Sequence, residues 1–496
     1  MIPQPVINLR PGRGAGYHTS AAALALLALQ SGCQRTPADG GIGLAPASTY
    51  ALVNATVVDG TGAPPLREAT VVVRDGRIAA VGPTGSIPVP NGAAAIDVGG
   101  RVVAPGLIDM HYHVITAAMR YRRSAQGSLD STYDRALAER LLRVALGYGI
   151  TTIRDPGASP LQEALSLRDD VAHGRVLGPR IFTAGPILND PRFSVDSLRT
   201  LVRGQAAAGV DFVKVYAGLR PLQVRAVVEE AHRHGVRVIG HLQRTSWTEA
   251  ARAGIDFLTH GADWHESELP DSLRASYREI GDMRQRIAWY EGLDVEGAAV
   301  DTMVREMATR RIPLDPTLVA YHTKFWWRDS IYQHDPDVAL VPEEVENWRV
   351  LGMHTREWSS SDFDRVQAVW PKQLALVRRL YRAGVPIMTG SDLASPWVAP
   401  GVSLHQEFAL LASAGLTPLE VLRAATYEGA RALGIEGDAG TVAVGKRADL
   451  VVFENDVLTD MTRSRSIRFA ILGGAIFRPK DLLALVPNPV RSPTDH

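Results

Sequence analysis

The spacing of apolar positions changes twice along the chain. From 49 to 104 they come in short runs, "YALVNATVVDGTG", "ATVVVRDGRIAAVG" and "AAIDVGGRVVAPG". DG and GG pairs punctuate these runs and favour tight hairpins, so the segment predicts a small β domain. From about 105 the pattern becomes strand, helix, strand. Apolar strand candidates lie at 106–113, 150–155, 179–185, 211–217, 236–242, 255–261, 312–318 and 385–392. Amphipathic stretches such as "PLQVRAVVEEAHRHG" and "WTEAARAG" separate many of them. Eight such units predict an α/β fold, a (β/α)8 TIM barrel over 105–437. An open doubly wound sheet is the other arrangement eight strands allow. After 437 the β pattern returns in "GTVAVGKRADLVVFEND" and "RFAILGGAIF". The simplest arrangement pairs 438–478 with 49–104, giving a small β-sandwich domain formed from both ends of the chain.

Two insertions, 262–305 and 319–371, interrupt the barrel rhythm. The second holds Trp326, Trp327, Trp348, Trp358 and Trp370, five of the nine tryptophans. It reads either as an aromatic lid over the barrel mouth or as a helical insertion packed on the barrel, open to use as an oligomer contact.

The first 40 residues differ from the rest. No Asp or Glu precedes Asp39, and Arg10 and Arg13 lead into the apolar run "SAAALALLAL" at 20–29. That run is too short for a permanent membrane span but has the length of a signal-peptide core. It is followed by "QSGC", ending at Cys33, the one cysteine of the chain. This resembles a bacterial lipoprotein signal, which implies lipidation of Cys33 and an exported, periplasmic or membrane-anchored protein. Gln30 departs from the aliphatic residue usual at that position, and an ordinary secretory signal or an apolar leader are the other readings. Residues 34–48 are rich in Gly, Ala, Pro and Ser and read as a flexible tether.

Composition adds exclusions. The chain has 496 residues, 46% hydrophobic and 21% charged, with 53 basic and 53 acidic side chains. With no excess of positive charge to neutralise phosphates, nucleic acid is not the expected partner. Cys33 aside, no thiol is present for a disulfide or a metal.

In a parallel barrel the chemistry sits where strands end. The first candidate strand ends in His111 and His113, which share a face while Tyr112 points away. The fourth carries Lys214, the fifth ends in His241, the sixth in His260 and the eighth in Asp392. Lys214 and His241 are 27 residues apart, and His241 and His260 are 19 apart, the size of one βα repeat. Imidazoles and a carboxylate suit zinc or another borderline divalent metal. Tyr216 faces the same way as Lys214, one layer nearer the mouth, and reads as an oxyanion donor or a packing aromatic. Asp109 shares the face of His111 and could orient a ligand. His265 and His322 are candidate substrate contacts, each with a structural alternative. Arg154 and Arg244 are basic residues that could hold a substrate carboxylate.

This set, flanked by a β domain from both termini, resembles the amidohydrolase superfamily. "VVAPGLIDMHYH" and "GTVAVGKRADLVVFE" are similar to its opening and closing signatures, and the resemblance covers about 49 to 478. "GSDLASPW" and "LTPLEVLRAATYEGARALG" are similar to the imidazolonepropionase-like group, which includes metal-dependent dipeptidases acting on Xaa-Pro or Xaa-Arg. The resemblance implies two divalent metal ions, with zinc expected. His111 and His113 would hold the more buried ion, with Asp392, and His241 and His260 the second. Lys214 would be carboxylated by carbon dioxide to a carbamate bridging both. A metal-bridging hydroxide would attack the amide of a small peptide or N-acyl amino acid, with Asp392 as general base and then acid.

A mononuclear deaminase or cyclic-amide hydrolase on the same scaffold is the main alternative. Such enzymes usually lack the bridging lysine and often place a glutamate near strand 5 or 6, whereas "LQRTS" after His241 has no acid. A barrel kept only for binding would have lost ligands, and all six are present.

Overall fold

The structure, a computed structural model, describes residues 48–124, 128–275, 277, 283–340, 342–351 and 355–484. Cys33, the expected signal segment and nearly all of the expected tether lie outside the described residues.

Five strands open the fold: β1 (Thr49–Val57), β2 (Leu66–Arg74), β3 (Arg77–Pro83), β4 (Ala94–Asp97) and β5 (Val102–Pro105). The barrel strands follow, beginning with β6 (Leu107–Asp109). A hairpin of β7 (Met119–Arg123) and β8 (Leu129–Tyr133) interrupts them, a feature the apolar pattern does not signal. The barrel continues with β9 (Ile150–Asp155), β10 (Arg180–Thr183), β11 (Phe212–Val215), β12 (Arg237–Gly240), β13 (Phe257–Thr259) and β14 (Leu314–Asp315). The chain ends in β15 (Leu450–Phe453), β16 (Ile467–Leu472) and β17 (Ala475–Phe477).

β1 to β5 and β15 to β17 form one connected sheet from both ends of the chain, in the order β17-β16-β15-β5-β1-β2-β3, with β4 also on β1. A small β-sandwich domain from both ends of the chain is the expectation; the hydrogen bonding joins both ends in one continuous sheet, β15 pairing with β5. The reason lies in β1. Its first half pairs with β4 and its end with β5, and the register against β2 shifts between Leu52 and Ala55. Asn54 sits there with φ of 54°, and such a bulge bends a strand. Tyr50, Leu52, Val71, Val103, Leu450, Ile471 and Ile476 then share one apolar cluster.

β6, β9 and β10 pair in parallel, as do β11, β12, β13 and β14. Parallel bridges Ala184–Phe212 and Leu188–Val215 join the two groups. On the other side Leu314 bridges Ile387, and the Met110 N–H donates to Thr389 O. The order and direction are those of a TIM-barrel-type fold of mixed α/β content. All four residues of β11 are buried, as expected for a parallel strand covered on both faces. The segment 385–392 contributes bridges rather than a regular strand, and its extended run stops at Asp392, whose φ is 60°.

The join between sheet and barrel requires Gly106. A Cβ there would come within 2.2 Å of Thr151 Oγ1, so only glycine fits. Local capping sets the next loops. Ser246 Oγ accepts the Glu249 N–H and Glu249 Oε2 accepts the Ser246 N–H, a reciprocal cap that starts the helix Trp247–Arg252 just after His241.

The tryptophan-bearing insertion is helical and packed. Trp348, Trp358 and Trp370 are each under one-tenth exposed. Trp358 stacks on Phe325, and Trp348 lies against Trp397. This packing is common to both sequence readings, the aromatic lid and the packed insertion.

Candidate active site

The backbone beyond β6 and the segment before Asp392 are clamped together. Asp109 Oδ1 accepts the N–H groups of His111 and Ser391, both at 3.0 Å. The Asp392 N–H donates to His111 O at 2.7 Å. Gly390 makes the approach possible, since a Cβ there would lie 2.7 Å from His111 Cβ. Asp109 therefore braces two backbones rather than orienting an imidazole ring.

One nitrogen each of His111 and His113 and a carboxylate oxygen of Asp392 lie within 4.8 Å of one another. His111 Nε2 is 3.4 Å and His113 Nε2 3.7 Å from Asp392 Oδ1. The opposite nitrogen of His111 is taken: Nδ1 lies 2.6 Å from Asp315 Oδ1. His113 Nδ1 lies 3.5 Å from Asp155 Oδ1. Ser395 Oγ donates to Asp392 Oδ2 at 2.9 Å, leaving Oδ1 toward the histidines.

A second pair faces this group. His260 Nε2 and His241 Nδ1 are 2.5 Å apart, while His260 Nδ1 meets Thr317 Oγ1 at 2.7 Å. The His111 and His260 ring centres are 5.1 Å apart. Burial, and after it neighbouring positive charge, hold His111, His241 and His260 well below the usual imidazole range. All three are neutral at pH 7 and can offer lone pairs.

Lys214 acts on all three of these imidazoles. It is 1% exposed, and its one hydrogen bond is to Thr259 Oγ1 at 3.4 Å. Burial pushes its amine down to about 7, because an ammonium without solvent or a close carboxylate is costly. The ring of Tyr216 lies 4.1 Å from that of His241, and burial pushes its phenol up to about 12.

These donors suit borderline divalent metals, and neutral imidazoles with a carboxylate are the ligand types such ions take. The profile of the amidohydrolase family matches residues 102–476. The chain belongs to the amidohydrolase family. It is a hydrolase acting on carbon–nitrogen bonds, specifically amide bonds. Among similar proteins is imidazolonepropionase of Cereibacter sphaeroides, 26% identical over 81% of this chain and 91% of that protein. Ochratoxinase of Aspergillus niger is 23% identical over 84% of each chain. Among solved structures, a putative prolidase from Bifidobacterium longum superposes with a TM-score of 0.61 at 26% identity, covering 88% of this chain and 98% of that one. A Xaa-Pro dipeptidase with bound methionine shares the fold, with a TM-score of 0.62 at 20% identity over 87% of this chain and 100% of that one.

Three other sequence candidates have structural partners in this amidohydrolase. Arg154 is fully buried, donating to Met110 O and Asp315 Oδ2 at 2.7 Å each, over the rings of Phe212 and Phe257. It is a support beneath the site and not a substrate contact, which corrects the sequence expectation. His265 caps a short 3-10 turn, its Nδ1 accepting the Ser267 N–H. The ring of His322 stacks on Trp326 at 4.2 Å, and its Nδ1 meets Tyr332 Oη at 2.5 Å. Asp315 and Thr317, which hold the backs of His111 and His260, are not among the sequence candidates. Their signal is a pair of polar residues in the apolar strand candidate "IPLDPTL".

Proposed function

We propose that this chain is a binuclear metal-dependent amidohydrolase that cleaves an amide bond in a small peptide or N-acyl amino acid. The observation that carries the reading is the convergence of His111, His113 and Asp392 within 4.8 Å, beside a facing His241–His260 pair. His111, His113 and Asp392 would hold one divalent ion, with zinc expected, and His241 and His260 the other. Lys214 would join them as a carbamate. Its burial, its charge acting on His111, His241 and His260, and the lack of a carboxylate within 4.0 Å among the described residues support that role. Bound ions would supply Lewis acidity, acidifying a water and polarising the amide carbonyl.

The chain's own groups do the rest. Asp392 Oδ1 takes the proton of the attacking water while Ser395 fixes Oδ2, and Asp392 then returns the proton to the leaving nitrogen. Tyr216 stays a neutral phenol and donates a hydrogen bond to the carbonyl oxygen as negative charge builds there. Asp315, held by Arg154, accepts from His111 Nδ1–H and so points the Nε2 lone pair at the site.

The likeness to imidazolonepropionase favours a second reading, a mononuclear hydrolase of a cyclic amide. Export and lipid attachment at Cys33 belong to the proposal as well, supported by the leader's composition. The test is hydrolysis of dipeptides, N-acetyl amino acids and cyclic amides by zinc-loaded and chelator-treated protein. Metal-dependent release of amino acid from the linear amides supports the proposal. Turnover of cyclic amides alone contradicts it.

A further inference from the structure

Among the described residues, two cations near the site have no carboxylate partner of their own. Lys324, on the helix Leu318–Trp326, is 7% exposed. Its Nζ makes one hydrogen bond, 3.4 Å to Ser395 Oγ, and stands 4.6 Å from the centre of the Tyr321 ring. Arg286, on the helix Met283–Gly292, lies 4.0 Å over the Trp264 ring and 5.6 Å from Tyr321. Among the described residues no carboxylate oxygen comes within 4.0 Å of either. Other arginines of the region are paired: Arg274 with Asp271 and Arg365 with Glu291, both at 2.7 Å. A nine-tenths buried ammonium with one long hydrogen bond is an exception that calls for an anion.

Their position says which anion. The Tyr321 ring lies 5.6 Å from the His260 ring, so both cations stand one aromatic ring away from that imidazole. Lys324 is also one hydroxyl from Asp392, because Ser395 Oγ is shared between them. Asp392 is the group that returns a proton to the leaving nitrogen. In an N-acyl amino acid or a dipeptide the free carboxylate sits two bonds from that nitrogen.

We propose that Lys324 and Arg286 form a carboxylate subsite on the leaving-group side of the scissile amide. Substrates are then amides whose amine half is an amino acid with a free α-carboxylate. Arg286 comes from the first insertion and Lys324 from the second, so the two insertions jointly build specificity. The inference rests on the amidohydrolase reading above and deepens it.

The experiment compares ligand pairs on the zinc-loaded full chain. N-acetyl-L-amino acids and their C-terminal amides are titrated by calorimetry, and hydrolysis is followed separately. The carboxylate forms should bind about tenfold or more tightly than the matching amides, the scale of one charge-assisted contact. Lys324→Met and Arg286→Met should each remove most of that preference, and Lys324→Arg should keep it. Arg286 is half-buried, so its variant reports even where Lys324→Met fails to fold. Equal binding of carboxylates and amides, or a preference surviving both Met variants, overturns the subsite. Carboxylate-selective binding lost in those variants but without hydrolysis would keep the subsite and reject the hydrolase reading.

Discussion

Asp315 links His111 to Arg154: one carboxylate oxygen lies 2.6 Å from His111 Nδ1 and the other 2.7 Å from the guanidinium. All three side chains are essentially sealed from solvent. The chain of contacts fixes an imidazole that would otherwise rotate, and it neutralises a buried arginine.

Asp315→Asn should therefore act twice. Zinc affinity should fall by about 10–100-fold, as for loss of a carboxylate behind a ligating histidine. Stability should fall by ~3–5 kcal/mol, because Arg154 is left buried without its counter-charge. Chelator competition and denaturant unfolding measure the two effects separately.

Gly390→Ala should disturb the same corner by steric means alone. The new Cβ would meet His111 Cβ at 2.7 Å, and overpacking of this kind costs ~1–3 kcal/mol. Metal content and Tm should fall together, while Gly85→Ala, where a Cβ meets nothing within 4 Å, should change neither.

Tyr216→Phe should lower kcat by about 100-fold with little change in KM, the size expected for one donor to a developing oxyanion. Steady-state kinetics on an N-acetyl amino acid or dipeptide decide this. A change confined to KM would make Tyr216 a packing residue.

Glu407 gives a pH prediction away from the ligands. It is fully buried, its Oε2 accepts the Val319 N–H at 2.7 Å, and burial pushes its carboxyl up from 4.5 to about 8. The folded state then binds more protons than the unfolded state between those values, so stability falls as pH rises through that window and levels off above it. Glu407→Gln removes this slope. By pH 8.5 the variant should gain on the parent by several kcal/mol relative to pH 4, about 1.4 kcal/mol for each pKa unit between 4.5 and about 8. Melting curves across pH 4–9 check it.

Some of this was legible in the sequence. His111, His113 and Asp392 were visible because histidines and an aspartate closing apolar runs stand out once a parallel barrel is assumed. The β strands at both ends were visible through their DG and GG turns, but the path through β1 was not, since a bulge at Asn54 has no pattern of its own. Asp315 does not stand out because it lies inside the strand candidate 312–318 rather than at its end. Arg154 was misplaced because strand position does not say whether a long side chain reaches up into the mouth or down onto Phe212 and Phe257. Lys324 and Arg286 were illegible, as their meeting at Tyr321 depends on how two insertions fold against each other. The tryptophans of 319–371 left two readings open, and Trp358 on Phe325 shows them used as packing.

The central claim is that Lys214 joins two metal ions. The most direct measurement is metal content per chain for protein prepared with zinc and bicarbonate, alongside Lys214→Ala prepared identically. The account predicts about two ions in the parent and one or none in the variant, with amide hydrolysis lost. About one ion in both, with hydrolysis retained by the variant, would contradict it.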